Sequence, residues 1–365
     1  MRAALFQQTG SLDVVDDVDV EDPRANEVSV RVTHCGICHS DLTMVDLMDG
    51  SEPAVFGHEA AGVIEAVGAS VTRVAPGDKV VLTPLAPCGH CYWCSRGEPT
   101  GCEEAQAFTT GLRPDGTSPL SRHGAEVKRG LGVAGFGERT VVTEAAVVSI
   151  DADTPLEIAC VIGCALQTGV GAVVNTAAVE PGATALVTGL GGIGISVVQG
   201  LRLAGASRII VSDPVAERRE AARHFGATDV LDPTSDDVVV ACHALTAGVG
   251  VDYSFEAAGV ATLVDPCVQA IRRGGTAVIV GADATLASAE VLPVMLATQG
   301  KRIVGSLLGD CHPQRDIPKL IALWQAGRLD LETMISHRLD LGEINDGLEH
   351  LRAARGIRSV VRVAG

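Results

Sequence analysis

Aromatic residues are scarce: Phe, Tyr and Trp together make up 3% of 365 residues. A hydrophobic core must therefore be mostly aliphatic, and any ligand pocket poor in rings. Basic residues are also few, 28 Lys and Arg against 45 Asp and Glu, for a net charge of −17. That deficit argues against binding a phosphate backbone, which needs clustered cations, and equally against an anionic membrane surface. The opening MRAALFQQTG has one Arg and no apolar stretch long enough for a secretory signal, so a cytoplasmic protein is expected. Repeats and low-complexity linkers are lacking too. Two uncharged segments, 158–179 and 181–201, approach the roughly 20 residues a membrane span needs. Both are interrupted by Gly together with Gln, Thr or Asn, and the second reads as strand, glycine turn and helix, so no membrane hairpin is expected.

What is present points to a packed protein that handles small molecules. Hydrophobic residues make up 47% and charged residues 20%, and the length suffices for two domains. Up to about residue 150 the chain reads as short strands divided by Pro and Gly: EVSVRVTHC, EAAGVIEAVG, DKVVLT and ERTVVTEAAVVSI. From about 166 apolar strands (TALVT, RIIVSD, TDVL, VDYSFEAAG, GTAVIVG) alternate with helices (ISVVQGLRLAG, VAERREAARHFG, DDVVVACHALTAG, and one through VQAIRR). That alternation predicts an α/β unit, a doubly wound parallel sheet with helices on both faces. The last stretch changes pattern again, with helices near 313–326 and 342–353 and a closing strand IRSVVRV. The expected organisation is a mostly β domain over 1–165, a parallel-sheet domain over 166–308, and a return to the first over 309–365.

Within TALVTGLGGIG, Gly189, Gly191 and Gly194 stand in G-x-G-x-x-G spacing around Gly192 and Ile193, between strand and helix. Such glycines allow a tight turn and close approach of a pyrophosphate to the helix N-terminus. Asp213 closes the next strand, nineteen residues past Gly194, where a carboxylate accepts hydrogen bonds from an adenosine ribose. A carboxylate there repels a 2′-phosphate, which favours NAD over NADP. Arg218 and Arg219 follow within a helical turn; they either lend some acceptance of NADP or are solvated helix charges.

Eleven cysteines, an odd number, suit a reduced protein. Cys88, Cys91, Cys94 and Cys102 follow C-x2-C-x2-C-x7-C, which supplies a closed tetrahedral shell for Zn²⁺. A closed shell leaves no place for substrate, so the 87–102 lobe would be structural; a disulfide or redox pair is the other reading. His90 lies inside that loop and is not needed as a ligand. A scattered set, Cys38, His58 with Glu59, and Cys164, offers two thiolates and an imidazole, a donor set that leaves a fourth position for chemistry. Cys160, Cys242, Cys267 and Cys311 read as apolar positions, and Cys35 is undecided.

GICHSD, GHEAAGVIEAVG, the four-cysteine loop, IGCALQTGVGAVVNTA, GLGGIG, VDYSFEAAG and GIRSVVR together resemble zinc-dependent alcohol dehydrogenases of the medium-chain dehydrogenase/reductase superfamily. PDGTS and the segment between Cys102 and Phe136 resemble the alcohol and glutathione-dependent formaldehyde dehydrogenase branch, and GSLLGDCHPQRDIPKL its bacterial aryl and primary alcohol dehydrogenases. The resemblance implies a GroES-like, mostly β catalytic domain with an inserted Rossmann domain, two Zn²⁺ per chain, NAD, an alcohol or aldehyde substrate and a homodimer. It makes Cys38, His58 and Cys164 the catalytic zinc ligands, Asp41 the partner of the His ligand, and Glu59 a carboxylate behind the metal. Ser40 would hydrogen-bond the substrate oxygen, Thr168 line the nicotinamide pocket, and His39 and Arg358 reach the pyrophosphate. Zinc in such enzymes acidifies an alcohol as it lowers a bound water's pKa from about 16 to about 7.

The chain departs from the family in places. Thr43 stands where several members end a proton relay with His, and His39 where others have Arg. Pro84, Gly130 and Leu308 fall where relatives carry rings, which predicts a wide pocket for bulky primary, allylic or aryl alcohols unless other loops refill the space. Gln106 lies near the place where glutathione-dependent relatives hold their adduct with Arg, beside Glu103 and Glu104, which would repel an anionic conjugate. The alternatives are a thiol-adduct formaldehyde dehydrogenase and a nicotinoprotein that retains its NAD; intact ligand positions argue against a non-catalytic nucleotide-binding protein.

Overall fold

The computed structural model describes residues 1–105, 107–282 and 287–364. The chain divides into two compact units. One holds Met1–Cys164, His312–Gly327 and Leu331–Gly365; the other holds Ala165–Cys311 and Arg328–Asp330.

The spine of the first unit is the strand Glu27–Ile37, in a seven-stranded sheet. It pairs antiparallel with Glu59–Val67, Arg139–Thr143 and Arg358–Arg362. Its alternating sequence suggests one buried face, yet nearly every residue is buried, because the helix Leu156–Val161 packs across it and across Glu59–Val67. A second, six-stranded sheet includes Ala3–Gln8 and Ala54–Val55. Between the sheets the core is Val, Ile, Leu and Ala, with the scarce rings Phe6, Phe56 and Phe136 fully buried.

Arg113 ties the segment that follows the four-cysteine lobe to the start of the spine. Its Nε and Nη2 donate to the two carboxylate oxygens of Glu27 at 2.8 and 2.9 Å, with both residues less than 5% exposed. Burial raises the Glu27 carboxyl, and the Arg113 guanidinium, joined by the Arg24 N–H at 2.9 Å and the charge of Arg129, more than offsets this, leaving it below the ordinary 4.5.

In the second unit six strands form one parallel sheet, in spatial order Asp229–Leu231, Arg208–Ser212, Thr184–Thr188, Val251–Glu256, Ile271–Ile279, Arg302–Gly305. This is the 3-2-1-4-5-6 order of a doubly wound dinucleotide-binding sheet, whose switch point lies between Thr184–Thr188 and Val251–Glu256. One expected boundary shifts. The helix through VQAIRR stops at Ala270, and Ile271 already pairs with Val251 as strand, since a β-branched residue gains more in the sheet than at a helix end.

Leu156–Thr176 is one apolar helix, long enough to cross a membrane, but 89% of its most apolar window is buried within the protein. It widens to i→i+5 turns over Ile162–Leu166 and Ala172–Thr176, and Cys164 sits in the first of these. Gly163 is forced there: a Cβ would stand 2.3 Å from the Leu82 carbonyl oxygen.

Replacing Arg113 with Met strands a buried carboxylate, and the expected loss is about 3–5 kcal/mol in urea unfolding. In the wild type, a depressed carboxyl contributes stability that is complete above the ordinary glutamate value and is lost as pH falls through the folded-state value. Arg113→Met therefore flattens the acid limb of the stability profile, and an unchanged limb would rule out this pair as its source.

Candidate functional site

The strand register gathers the first cluster. Gly36 pairs with Glu59 across the Glu27–Ile37 and Glu59–Val67 strands, and Ile37 pairs with Ser359 on the opposite side. Cys38, His58 and Arg358, each one step along, therefore meet at one end of the sheet, and the 156–176 helix adds Cys164. The ligand atoms of Cys38, His58, Glu59 and Cys164 all lie within 4.8 Å of one another, and all four residues are buried. Gly36 makes room for the carboxylate, since a Cβ there would stand 2.3 Å from Glu59 Oε2.

Asp41 organises the cluster from behind. Fully buried, it accepts the Cys38 N–H at 3.0 Å on Oδ2, and the Gly57 N–H at 3.0 Å and His58 Nδ1 at 3.1 Å on Oδ1. A carboxylate on Nδ1 fixes the tautomer in which Nε2 carries the lone pair, as a metal ligand requires. A hydrogen bond from Cys164, helped by His58, holds the Cys38 thiol well below its usual range. Cys164, giving that hydrogen bond and buried, is pushed well above. Burial lifts Glu59 to about 7 against the pull of Arg358. Arg358 approaches Glu59 Oε1 at 3.4 Å and donates from Nη1 to the Ile37 carbonyl at 2.8 Å. Its Nε is buried with no partner among the described residues.

Ser40 and His39 are exposed in the first turn of the helix His39–Leu47, with Ser40 Oγ 3.9 Å from Cys38 Sγ. Gly130 leaves no extra room: a Cβ there would stand 2.2 Å from the Phe56 ring, so Phe56 fills the space its missing side chain suggests. Pro84 and Leu308 are buried.

The four-cysteine lobe brings the sulfurs of Cys88, Cys91, Cys94 and Cys102 within 4.8 Å of one another, and all eleven cysteines are free of disulfides. Backbone N–H groups of Cys94 and Glu103 bring Cys91 down to about 6, and the Cys88 N–H points at Cys102 Sγ at 3.3 Å. His90 turns away, bridging the Cys88 carbonyl (3.0 Å) and Glu104 (2.8 Å). Both clusters fit a tetrahedral cation by their donors, one with four thiolates and one with two thiolates and an imidazole. Cys35, Cys160, Cys242 and Cys267 are buried thiols raised by desolvation and so are inert. Cys311 is buried and donates to the Gln167 carbonyl. Gln106 lies outside the described residues.

In the second unit the glycine turn follows Thr188 and opens the helix Gly192–Ala204. Gly189 sits at φ +85° with Ala258 only 2.8 Å from its would-be Cβ, and a Cβ on Gly194 would stand 1.8 Å from the Gly189 oxygen. Gly191 differs: among the described residues no atom lies within 4 Å of where its Cβ would be. The protein itself does not require glycine there, whereas a ligand pressed against the backbone would. Thr168 Oγ1 is buried with no partner among the described residues.

Asp213 accepts from the Leu190 N–H at 2.7 Å and the Val215 N–H at 2.8 Å, locking it to the turn. Arg218 is buried in the helix Ala216–Phe225. Sequence reasoning missed two carboxylates at this edge of the sheet. Glu256 folds the wall beyond the switch point, accepting N–H groups of Ala258 and Gly259 at 3.0 Å, and Asp232 pairs with Arg219 at 2.7 Å. A polar residue ending an apolar strand was the only available signal for both.

Residues 24–152 match a family described as the alcohol dehydrogenase GroES-like domain, and residues 192–326 one described as zinc-binding dehydrogenase. An S-(hydroxymethyl)glutathione dehydrogenase of Escherichia coli O1:K1 / APEC is 37% identical over 99% of each chain. Among solved structures, benzyl alcohol dehydrogenase from Acinetobacter calcoaceticus superposes with a TM-score of 0.93 at 30% identity, covering 100% of this chain and 99% of that one. An alcohol dehydrogenase zinc-binding domain protein from Burkholderia ambifaria does so with 0.93 at 33%, with the same coverage.

If Asp41 sets the His58 tautomer, Asp41→Asn weakens zinc retention at one of the two clusters by about 10–100-fold. Chelator competition followed by metal analysis reads this. Equal retention by wild type and variant would remove Asp41 from that role.

Proposed function

The chain belongs to the zinc-dependent alcohol dehydrogenases of the medium-chain dehydrogenase/reductase superfamily and is an oxidoreductase, and on that footing we propose that it interconverts bulky primary, allylic or aryl alcohols and their aldehydes with NAD. The observation that carries the dehydrogenase reading is the buried Cys38–His58–Cys164 cluster with Asp41 behind its imidazole. The choice of aryl and allylic alcohols is supported by the likeness to benzyl alcohol dehydrogenase, not by room at Gly130, which Phe56 takes up. In this reading those three residues hold the catalytic zinc, and Cys88, Cys91, Cys94 and Cys102 hold a second, structural one. When bound, the zinc would supply Lewis acidity at the substrate oxygen and the nicotinamide a hydride acceptor.

The chain's own residues do the rest. Ser40, in the first turn of its helix beside Cys38, accepts the hydrogen bond of the substrate hydroxyl. Its exposure lets that proton leave to solvent, which suits a chain with Thr43 where a relay His would stand. Asp41 keeps the imidazole facing the cluster, and the buried Glu59–Arg358 pair balances charge behind it. The open backbone at Gly191 and the helix that follows receive the pyrophosphate. Asp213 faces the adenosine ribose, and eleven free thiols suit a reducing cytoplasm.

A second reading, oxidation of a formaldehyde–thiol adduct, is favoured by the name of the 37% identical relatives. The exposed Glu103 and Glu104 beside the lobe weigh against an anionic conjugate.

The expected initial rates of NADH formation favour benzyl and cinnamyl alcohol over ethanol by about tenfold or more in kcat/KM, without added thiol. Turnover of formaldehyde only in the presence of glutathione would replace this reading with the second. Ser40→Ala lowers kcat by about 10²-fold or more at unchanged zinc content, and full activity in that variant would remove Ser40 from the proton path.

A further inference from the structure

Two neighbouring parallel strands of the second unit end in aspartates at the same edge of the sheet. Asp213 follows Arg208–Ser212, and Asp232 follows Asp229–Leu231. One guanidinium spans them. Arg219 donates from Nη1 to the carbonyls of Asp213 and Pro214 at 2.7 and 2.9 Å, and from Nη2 to Asp232 Oδ2 at 2.7 Å. Asp232 is itself fixed, because its Oδ1 accepts the N–H and hydroxyl of Thr234 at 3.0 and 2.6 Å. The arginine side chain is only 15% exposed.

This arrangement bears on which coenzyme the site accepts. Asp213 alone excludes a 2′-phosphate by charge, but an arginine beside it would counter that exclusion by a charge-assisted bond to the phosphate. Arg219 is that arginine by position, with its guanidinium in contact with the backbone of Asp213 itself. That guanidinium is already engaged, by the two backbone carbonyls through Nη1 and by the Asp232 carboxylate through Nη2. We propose that Asp232 is a specificity-determining residue, keeping Arg219 away from the 2′-position and so maintaining preference for NAD. The inference rests on the NAD reading above and adds a residue that acts through Arg219. Specificity of this kind works by disabling a contact to the wrong ligand.

The test is fluorescence titration of the zinc-loaded full chain with NADH and with NADPH, alongside kcat/KM for NAD and NADP. Asp232→Asn keeps the shape and the Thr234 contacts while discharging the partner of Arg219. The expected result is about a tenfold rise in affinity for NADPH relative to NADH, the worth of one charge-assisted bond, with the NADP/NAD ratio of kcat/KM rising in parallel through KM. Asp232→Ser carries the same expectation should the Asn variant fold poorly. Adding Arg219→Met to either variant returns both ratios to their wild-type values.

Unchanged ratios in both Asp232 variants would overturn the proposal. So would a rise that survives Arg219→Met, since Arg219 would then not be the group released. A wild type that binds neither nucleotide would instead overturn the coenzyme reading on which the proposal stands.

Discussion

The antiparallel register of Glu27–Ile37 against Glu59–Val67 is the constraint on which the first unit depends. With Gly36 opposite Glu59, the residues just beyond, Cys38 and His58, arrive at one end of the sheet from separate segments. A slip of one residue would turn every side chain of the strand to the other face and would carry the thiol away from the imidazole. Two glycines protect the arrangement, Gly36 by yielding to the Glu59 carboxylate and Gly163 by letting the Cys164 helix lie against Leu82. The cluster is thus set by backbone hydrogen bonds and close packing, and Asp41 ties three N–H groups into it.

The second unit solves a different problem with similar means. Its sheet order creates a crevice where the connections from two neighbouring parallel strands lead off in opposite directions, and buried or half-buried carboxylates shape its rim. Asp213 binds the glycine turn to the next strand, Glu256 folds the facing wall, and Asp232 occupies Arg219. Each oxygen is engaged by N–H groups of a turn or by a guanidinium, so negative charge is concentrated at this edge without being left unsatisfied. A protein with a large acidic excess here uses part of that excess as local scaffolding.

Much of this was readable from residue types and spacing. The glycine turn and the four-cysteine lobe are local, because their partners lie within a few residues and the chemistry demands those residue types. The alternation of apolar strands and amphipathic helices indicated the parallel sheet for the same reason. What sequence did not reveal depends on which strands become neighbours. Arg219 meets Asp232 because Asp229–Leu231 lies beside Arg208–Ser212, and Arg358 meets Glu59 because the strand starting at Arg358 pairs beside Ile37. Gly130 shows a further blind spot: a missing side chain is visible in sequence, but the Phe56 ring that takes its place is not. The boundary at Ala270 moved because strand pairing outweighed a run that otherwise reads as helix.

The pairing of Arg358–Arg362 with Glu27–Ile37 also has a consequence for how the molecule is made. The partners in the Arg358–Ile37 hydrogen bond are 321 residues apart, with the entire second unit between them. At elongation rates of about 5–20 residues per second the later strand emerges on the order of tens of seconds after the earlier one. During that interval the His34–Ile37 end of the strand lacks its partner on one side, since Arg139–Thr143 covers only Glu27 to Arg31 there, and free N–H and C=O groups lie beside half-assembled thiols. Such an edge is a template for the wrong chain, so vectorial synthesis exposes this protein to misassembly next to its most reactive side chains. Long-range closure also makes this step slow in refolding from denaturant, where both segments are present from the start but must find each other across the intervening unit.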